Sequence, residues 1–291
     1  MATDRVGIIG GSGLGDALVE HFTDTETVNM DTPFGAPSGP ITVGTFGDRE
    51  VAFLNRHGLG HRLNPSCVPY AANIYAFKRM GVRTVLASGA VGSLREEIAP
   101  GHLVVVDQFI DKTVRRLGSF FDDYGAVHCE MAEPVCSRVH QAIVETARTL
   151  DCRTHDRGTY VCMEGPQFST RAESLMHRAG GGDLIGMTAM PEAKLAREAQ
   201  MCYTLVALVS DYDCWRPPEG TREKQALLAE IMANLGTATE NCLELMRAVL
   251  AGTADLVDSE CSCRASLGLA VWTPQGGLDA EKTLKLAPLF E

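Results

Sequence analysis

The sequence predicts an α/β fold in one domain, and three observations lead to that prediction. Short β-rich runs alternate with segments whose apolar residues have helical spacing. Several runs, such as Thr84–Ser88 and Tyr203–Val209, are almost continuously apolar, which is typical of parallel strands buried on both faces. No Pro- or Ser-rich linker divides the chain before its C-terminal tail. We therefore expect residues 1–291 to form one domain, although a prior of about 150 residues per domain would give two.

The predicted elements alternate along the chain. The strands are Val6–Gly10, Ile41–Phe46, Val51–Asn55, Thr84–Ser88, His102–Asp107, Thr159–Met163, Asp183–Met187 and Tyr203–Val209. The helices are Ser66–Met80, Pro134–Leu150, Thr170–Arg178, Pro191–Gln200 and Arg222–Leu250. Pro134 and Pro191 are expected in a first helical turn, where proline is tolerated. The tail from about residue 252 has a mixed pattern and receives no assignment.

The formal net charge of -11 argues against a nucleic-acid or anionic-membrane binder, because both need a basic surface. A small anionic substrate held by a few positive groups remains compatible with this charge. The N-terminus lacks the apolar core of a signal peptide, and no run reaches the roughly 20 apolar residues of a membrane span. We therefore expect a cytoplasmic protein.

The ten cysteines are scattered and mostly lie in apolar runs, where a cysteine acts as a small buried hydrophobe. Cys261 and Cys263 are different, because they form a C-x-C pair. A single pair lacks the second half of a structural zinc site. Plain thiols are therefore expected, with a strained disulfide or a redox function as the alternative, and no metal site is predicted.

Glycine-rich and polar sequences follow five predicted strands, at the edge where parallel sheets bind ligands. The loop Gly10–Gly15 follows the first strand, but it fits neither the dinucleotide fingerprint nor a P-loop. Its backbone N–H groups and the Ser12 hydroxyl can bind a phosphate, or the loop is only a tight turn. Arg56 and His57 follow another strand. A forked guanidinium and a neighbouring imidazole suit phosphate oxygens, although such a pair is also common on solvated surfaces.

Asp211 and Asp213 close the most apolar predicted strand. Two carboxylates separated by one residue in an extended chain point the same way, so they can meet N7 and the exocyclic amino group of one adenine. The alternative is that they cap the next helix. No third carboxylate or histidine lies nearby in the sequence for a metal.

Together with further stretches, these residues resemble the trimeric 5'-methylthioadenosine phosphorylases of the purine nucleoside phosphorylase superfamily. The matching stretches occur in family order: Gly7–Leu14, Asp31–Pro37, Arg56–Gly58, Ala90–Ile98, Val106–Lys112, Met131–Pro134, Glu164–Ser174, Met187–Glu192 and Ser210–Trp215. Each is weak alone, but the set is specific and covers roughly Val6 to Trp215. The resemblance implies a single α/β domain with a mixed, largely parallel sheet flanked by helices. It also implies a homotrimer or a dimer of trimers.

The resemblance implies a phosphate site made of Ser12, Arg56, His57, the Gly89-Ala90 turn and Thr188. Ser12 replaces the threonine of many relatives and keeps the hydroxyl. Gly89 replaces a threonine of some relatives, so only its backbone N–H is available there.

For the nucleoside, the resemblance implies that Met187 lines the ribose and that Phe168 lies beside the base. Asp211 and Asp213 match the base-recognition pair. Relatives that prefer 6-oxopurines usually have Asn at the first acidic position and Glu after the matching Phe. This chain has Asp211 and Ser169 at those positions, and both differences favour adenine.

His128 matches a position that relatives lend to a neighbouring subunit, with a lone surface histidine as the alternative. The implied reaction is phosphorolysis of methylthioadenosine without an organic cofactor or a metal. Asp211 then donates a proton to N7, a general-acid effect of about 10²–10⁴-fold that requires a raised pKa. A phosphorylase of 6-oxopurine nucleosides or methylthioinosine, a hydrolytic nucleosidase and a non-catalytic nucleoside-binding protein remain as alternatives.

Overall fold

The computed structural model describes residues 4–11, 14–216 and 224–291. Within these ranges the strands are β1 (Arg5–Gly10), β2 (Thr23–Val28), β3 (Ile41–Phe46), β4 (Arg49–Asn55), β5 (Val82–Ser93), β6 (Leu103–Val105), β7 (Gln108–Lys112), β8 (Thr154–His155), β9 (Thr159–Met163), β10 (Leu184–Gly186) and β11 (Cys202–Tyr212). The α-helices are α1 (Gly15–Val19), α2 (Tyr70–Arg79), α3 (Ser137–Ala147), α4 (Arg171–Ala179), α5 (Glu192–Glu198), α6 (Lys224–Ala251) and α7 (Ala280–Leu286). Short 3-10 helices cover Ser262–Ala265, Gln275–Gly277 and Ala287–Phe290.

All the strands join one mixed sheet. Its main order is β2-β3-β4-β1-β5-β10-β9-β7, and β11 lies along β5 and continues the sheet to β6 and β8. The central strands β4, β1, β5 and β11 are mutually parallel, whereas β2 and β3 pair antiparallel to their neighbours. β10 is antiparallel to β5, and β6 is antiparallel to β11 but parallel to β8. The predicted α/β fold with a mixed, largely parallel sheet is thus confirmed.

Helices cover both faces of the sheet. On one face α2 and α5 pack through residues such as Phe77 and Leu195, and Leu289 of the C-terminal segment joins the same core. On the other face α1, α3 and α6 pack through Leu18, Ile143 and Leu245, among others. Strands such as β5 and β11 are therefore covered on both sides, which explains their continuous apolar runs. Within the described residues, no helix is both long enough and apolar enough to cross a bilayer.

Several strand predictions need correction. β5 does not end at Ser88 but continues to Ser93, because β11 pairs with it from Thr84 to its last residue. The predicted Gly89-Ala90 turn is consequently part of a strand. β6 is shorter than the predicted His102–Asp107 strand, and β7 follows it unpredicted. β2 was also missed, because its residues are almost all exposed and give no apolar alternation.

The predicted helices are confirmed in their positions along the chain, but their first and last residues differ from the prediction. α2 begins at Tyr70 rather than Ser66, whose hydroxyl instead donates to Glu164. Pro191 is the N-cap residue of α5, outside the first turn, and Pro134 lies before Cys136, the N-cap of α3. The unassigned tail contains α7 and packs on the core.

Candidate active site

The ends of the central strands bring the predicted site residues to one edge of the sheet. β4 ends directly before Arg56, and the backbone N–H of Arg56 donates to Gly10 O at the end of β1 (3.1 Å). Thr188 follows β10, and Asp211 is the second-to-last residue of β11. Ser12 lies outside the described residues, so its predicted phosphate contact stays a prediction.

Arg56 is fully buried and forms a two-point ion pair with Glu192. Nε donates to Glu192 Oε2 at 2.7 Å and Nη2 donates to Oε1 at 2.9 Å. Tyr203 Oη also donates to Glu192 Oε1, at 3.0 Å. Burial alone would lower the pKa of Arg56, but the Glu192 carboxylate outweighs it and raises that pKa above its ordinary value. The fork that was expected to bind phosphate therefore holds Glu192.

The third nitrogen of Arg56 faces a gap between glycines. Nη1 donates to Ser88 O at 2.7 Å. A Cβ placed on Gly11 would lie 3.7 Å from Nη1, and a Cβ on Gly89 would lie 4.0 Å from it and 3.2 Å from Thr188 Oγ1. Gly11, Gly89, Thr188 and Arg56 Nη1 thus lie around one small space, where a hydroxyl and a guanidinium come close to the backbone of two glycines. Ala90, by contrast, is exposed.

His57 lies beside Arg56 and is mostly buried. Its Nδ1 lies 2.8 Å from Leu63 O, and because a carbonyl only accepts, Nδ1 carries the hydrogen. Burial and the neighbouring Arg56 charge, opposed by that hydrogen bond, lower the pKa of His57 to about 4. The ring is neutral near pH 7, so Nε2 is an acceptor there. Nε2 of His57 can therefore accept a hydrogen bond from a bound group near pH 7 but cannot donate one.

The acidic pair is placed by a β-bulge. Val209 pairs with Val91 and Asp211 pairs with Gly92, so Ser210 is the extra residue. Such bulges redirect the side chains that follow them. A Cβ on Gly92 would lie 3.2 Å from Asp211 Oδ1 and 3.1 Å from Asp213 Cβ, so both acids lie on the same side, as predicted.

The two carboxyl groups have different surroundings. Ser210 Oγ donates to Asp211 Oδ2 at 2.6 Å. Burial raises the pKa of Asp211 above its ordinary value against that hydrogen bond, and the charge of Asp213 adds to the rise. Asp213 Oδ2 is buried and has no hydrogen-bond partner among the described residues. One acid is therefore suited to hold a proton, and the other to accept a hydrogen bond.

The loop after β9 borders the acidic pair. Ser169 O accepts a contact from Cys214 Sγ at 3.3 Å, and Ser169 Oγ lies 3.6 Å from Met163 Sδ. Phe168 is 86 % exposed, so the described part of the chain leaves most of its ring uncovered. A Cβ on Gly165 would lie only 2.6 Å from Met187 Sδ, so a residue without a side chain is required where Met187 passes.

Arg116 is a site residue that the sequence did not reveal. It is almost fully buried, and Nη1 donates to Met187 O at 2.7 Å and to Met190 O at 2.5 Å. Nη2 donates to Glu164 O at 2.6 Å. Hydrogen bonds from Ser66 and from backbone N–H groups overcome burial and lower the pKa of Glu164 to about 2. Arg116 thus fixes the backbone around Met187.

His128 lies apart from these contacts and packs against the C-terminal segment. Its backbone N–H donates to Ala270 O at 2.8 Å, and its exposed ring packs edge-on against Trp272, with centroids 4.9 Å apart. Glu192 was also missed as a site residue. A sequence signal existed for it, because it ends the matched stretch Met187–Glu192, whereas nothing in the sequence separates buried Arg116 from exposed Arg115.

Known proteins resemble this chain over nearly its whole length. An S-methyl-5'-thioadenosine phosphorylase from Geobacter sulfurreducens is 42% identical, with 97% of this chain and 96% of the relative covered. A crystal structure of a methylthioadenosine phosphorylase from an antarctic soil metagenomic library has a TM-score of 0.89 at 41% identity and covers all of both chains.

A third similarity concerns a protein with a bound ligand. It is an adenosine/methylthioadenosine phosphorylase variant from Schistosoma mansoni in complex with methylthioadenosine, with a TM-score of 0.83 and 34% identity. It covers 93% of this chain and 99% of its own. The family model described as the phosphorylase superfamily matches residues 5–251. The chain therefore belongs to the phosphorylase superfamily and has the nucleoside phosphorylase fold.

Proposed function

We propose that this chain cleaves S-methyl-5'-thioadenosine with phosphate, giving adenine and 5-methylthioribose 1-phosphate. One observation carries the proposal. A small space lined by glycines, Thr188 and Arg56 Nη1 lies at the same sheet edge as an acid of raised pKa, Asp211. An anion site beside a proton donor is what phosphorolysis of a nucleoside requires. The activities that the relatives' names carry agree with it.

Phosphate binds in the space between Gly11 and Gly89. Arg56 offers Nη1, Thr188 offers its hydroxyl, and backbone N–H groups and Ser12 complete the site. Glu192 holds the Arg56 guanidinium in place through Nε and Nη2 and leaves Nη1 available for phosphate. His57 accepts the hydrogen of hydrogen phosphate through Nε2, the nitrogen left unprotonated by its bond to Leu63 O.

The purine binds between the acidic pair and the Phe168–Ser169 loop. As a phosphate oxygen forms its bond to the anomeric carbon, the C–N glycosidic bond breaks and its electron pair goes to the purine. Asp211 then gives its proton to N7, so adenine leaves neutral. Asp213 Oδ2 accepts from the 6-amino group, which matches its buried position and its lack of a partner among the described residues. A 6-oxo group would meet it with an acceptor.

The protein acts as a homotrimer, or as a dimer of trimers, in the cytoplasm, and needs no organic cofactor for the reaction. Three apolar side chains are mostly exposed, those of Phe168, Val114 and Leu59, and Trp272 exposes 70 % of its surface beside His128. A neighbouring copy that covers these residues closes the site, with His128 reaching across. Light scattering at chromatographic elution tests this assembly: a trimer or hexamer supports it, and a monomer contradicts it.

Specificity is tested by parallel phosphorolysis of methylthioadenosine, adenosine, inosine and methylthioinosine. We expect methylthioadenosine to give the highest kcat/KM. If inosine gave a much higher kcat/KM than methylthioadenosine, the assignment of the base pocket would be wrong, but the phosphorylase chemistry would stand. Cleavage that needed no phosphate would instead favour a nucleosidase.

A further inference from the structure

Four cysteines from three distant parts of the chain meet beneath the C-terminal segment. Cys136 is the N-cap of α3, Cys202 is the first residue of β11, and Cys261 and Cys263 form the C-x-C pair at the first 3-10 helix. Their Sγ atoms all lie within 4.8 Å of one another. The second half of the site, which the sequence lacked beside the pair, is thus supplied from 59 and 125 residues away.

The spacing of these sulfurs fits a single central ion. Cys261 Sγ lies 3.7 Å from Cys136 Sγ and 3.6 Å from Cys202 Sγ. Four thiolates around zinc, with Zn–S bonds of about 2.3 Å, are about 3.8 Å apart along each tetrahedral edge. The widest pair therefore has to close by at most about 1 Å. Two disulfides would divide the four sulfurs into two pairs, whereas Cys261 is nearly equidistant from two partners.

Two partly buried guanidinium groups supply positive charge to the cluster. Arg138 Nη2 lies 3.7 Å from Cys202 Sγ, and Arg264 directly follows Cys263 in the chain. Arg138 Nε, and Nε and Nη2 of Arg264, are buried without a hydrogen-bond partner in the described part of the chain. The same Arg138 Nε lies 3.6 Å from Asp258 Oδ2 at the partly exposed rim, within ion-pair range but beyond hydrogen-bond distance. A tetrathiolate complex of a divalent ion carries two negative charges, which compensates the positive charge of both arginines.

We propose that Cys136, Cys202, Cys261 and Cys263 bind a zinc-class divalent ion as a closed tetrathiolate site. Four thiols lose their protons to solvent and form four metal–sulfur bonds, with no change of oxidation state. A site with four protein ligands has no open position, so it is structural rather than catalytic. It fastens the C-terminal segment to α3 and to the start of β11, and it is independent of the nucleoside chemistry.

Metal content of the full-length protein tests the site. The chain is fully reduced with a phosphine, stripped of metal, incubated with zinc and freed of excess zinc before elemental analysis. We expect one zinc per chain, a higher Tm than in the stripped protein, and loss of the zinc in the Cys261→Ser/Cys263→Ser variant. Cys67→Ser is the matched control, because Cys67 is an exposed free thiol outside the cluster, and it keeps its zinc.

Cobalt gives a second measurement that needs no variant. Cobalt in the wild-type site should show the intense visible bands of a tetrahedral ion and sulfur-to-cobalt charge transfer, and zinc should abolish both. The site would be refuted if the reduced wild-type protein retained no zinc and gave no such spectrum. It would equally be refuted if the double variant held as much zinc as the wild type. A reduced-to-native mass difference of four hydrogens, with no metal in the native protein, would assign the cluster to two disulfides instead.

Discussion

At the scale of single residues, the site depends on how burial acts on charged groups of opposite sign. Arg56 stays charged because Glu192 meets it at two points inside the core. The pKa of Asp211 is raised, because burial and the charge of Asp213 favour its protonated, neutral form. The same edge of the sheet thus holds a permanent cation and a carboxylic acid, the two groups that the proposed phosphorolysis needs.

Asp211→Asn should lower kcat for methylthioadenosine by about 10²–10⁴-fold, because the amide cannot donate a proton to N7 in the way the acid does. In the wild type, kcat should fall as the pH rises through the raised pKa of Asp211, since the proton is then lost. Steady-state kinetics across pH compare the two proteins. Full activity in the variant, or an unchanged alkaline limb, would remove Asp211 from the role of proton donor.

Glu192→Gln should destabilise the fold by about 3–5 kcal/mol, because it leaves the buried Arg56 charge without compensation. Glu281→Gln is the control: it removes an ion pair of similar length with Lys285 that is exposed to solvent, so stability should stay nearly unchanged. Urea unfolding at a fixed protomer concentration measures both. Equal, small losses in the two variants would show that the Arg56–Glu192 pair has little energetic weight.

At the scale of elements, the bulge in β11 and the small residues of β5 set the geometry of the base pocket. The extra residue Ser210 turns Asp211 toward Gly92, and the absence of a side chain there leaves room for both acids. Gly89 does the same for Thr188 farther back along β5. The missing side chains at the glycines of β5 therefore matter as much for the geometry of this strand end as the acidic side chain on β11.

Gly92→Ala should lower kcat/KM for methylthioadenosine by about tenfold, because its Cβ would displace the acids by a few tenths of an ångström, less than the 1 Å that costs about 10²-fold. Gly236→Ala is the control, since a Cβ there meets nothing within 4 Å. Parallel kinetics and melting curves separate activity from stability. A loss shared by both variants, or confined to Tm, would contradict this account of the pocket.

Elements with a strong local pattern were predictable from the sequence, and contacts between distant parts of the chain were not. The buried central strands are predicted by apolar runs in the sequence, and the capping box of α4 marks the start of that helix at Thr170. β2 gives no such signal, because its residues are almost all exposed. The acidic pair was found because its spacing has a physical meaning, whereas Arg116 and the partners of Cys261 are defined only by folding.

At the scale of the whole molecule, a chain with a net charge of -11 still buries an acidic side chain, and its titration makes the stability of the fold depend on pH. Glu198 at the end of α5 accepts hydrogen bonds from Phe120 N at 2.7 Å and Ser119 Oγ at 2.8 Å. Burial nevertheless raises the pKa of Glu198 to about 7, against these bonds. Between the ordinary value of 4.5 and this raised value, the native state binds more protons than the unfolded chain.

The free energy of unfolding should therefore fall by up to about 3 kcal/mol between pH 4.5 and 7 on account of this group. Glu198→Gln keeps both hydrogen bonds, with the amide donating to Ser119, and removes the titration. The stability of the variant relative to the wild type should thus increase across that range, measured by urea unfolding at pH 5 and 7.5. Parallel pH profiles of the two proteins would contradict a raised pKa.

The assembly of these parts is a phosphorylase, and the dependence of cleavage on phosphate tests it most directly. Purified protein is incubated with methylthioadenosine, with and without inorganic phosphate, and both products are identified by mass. We expect adenine and 5-methylthioribose 1-phosphate in equal amounts with phosphate, and negligible cleavage without it. Adenine released at the same rate in both reactions, together with free 5-methylthioribose, would contradict this expectation.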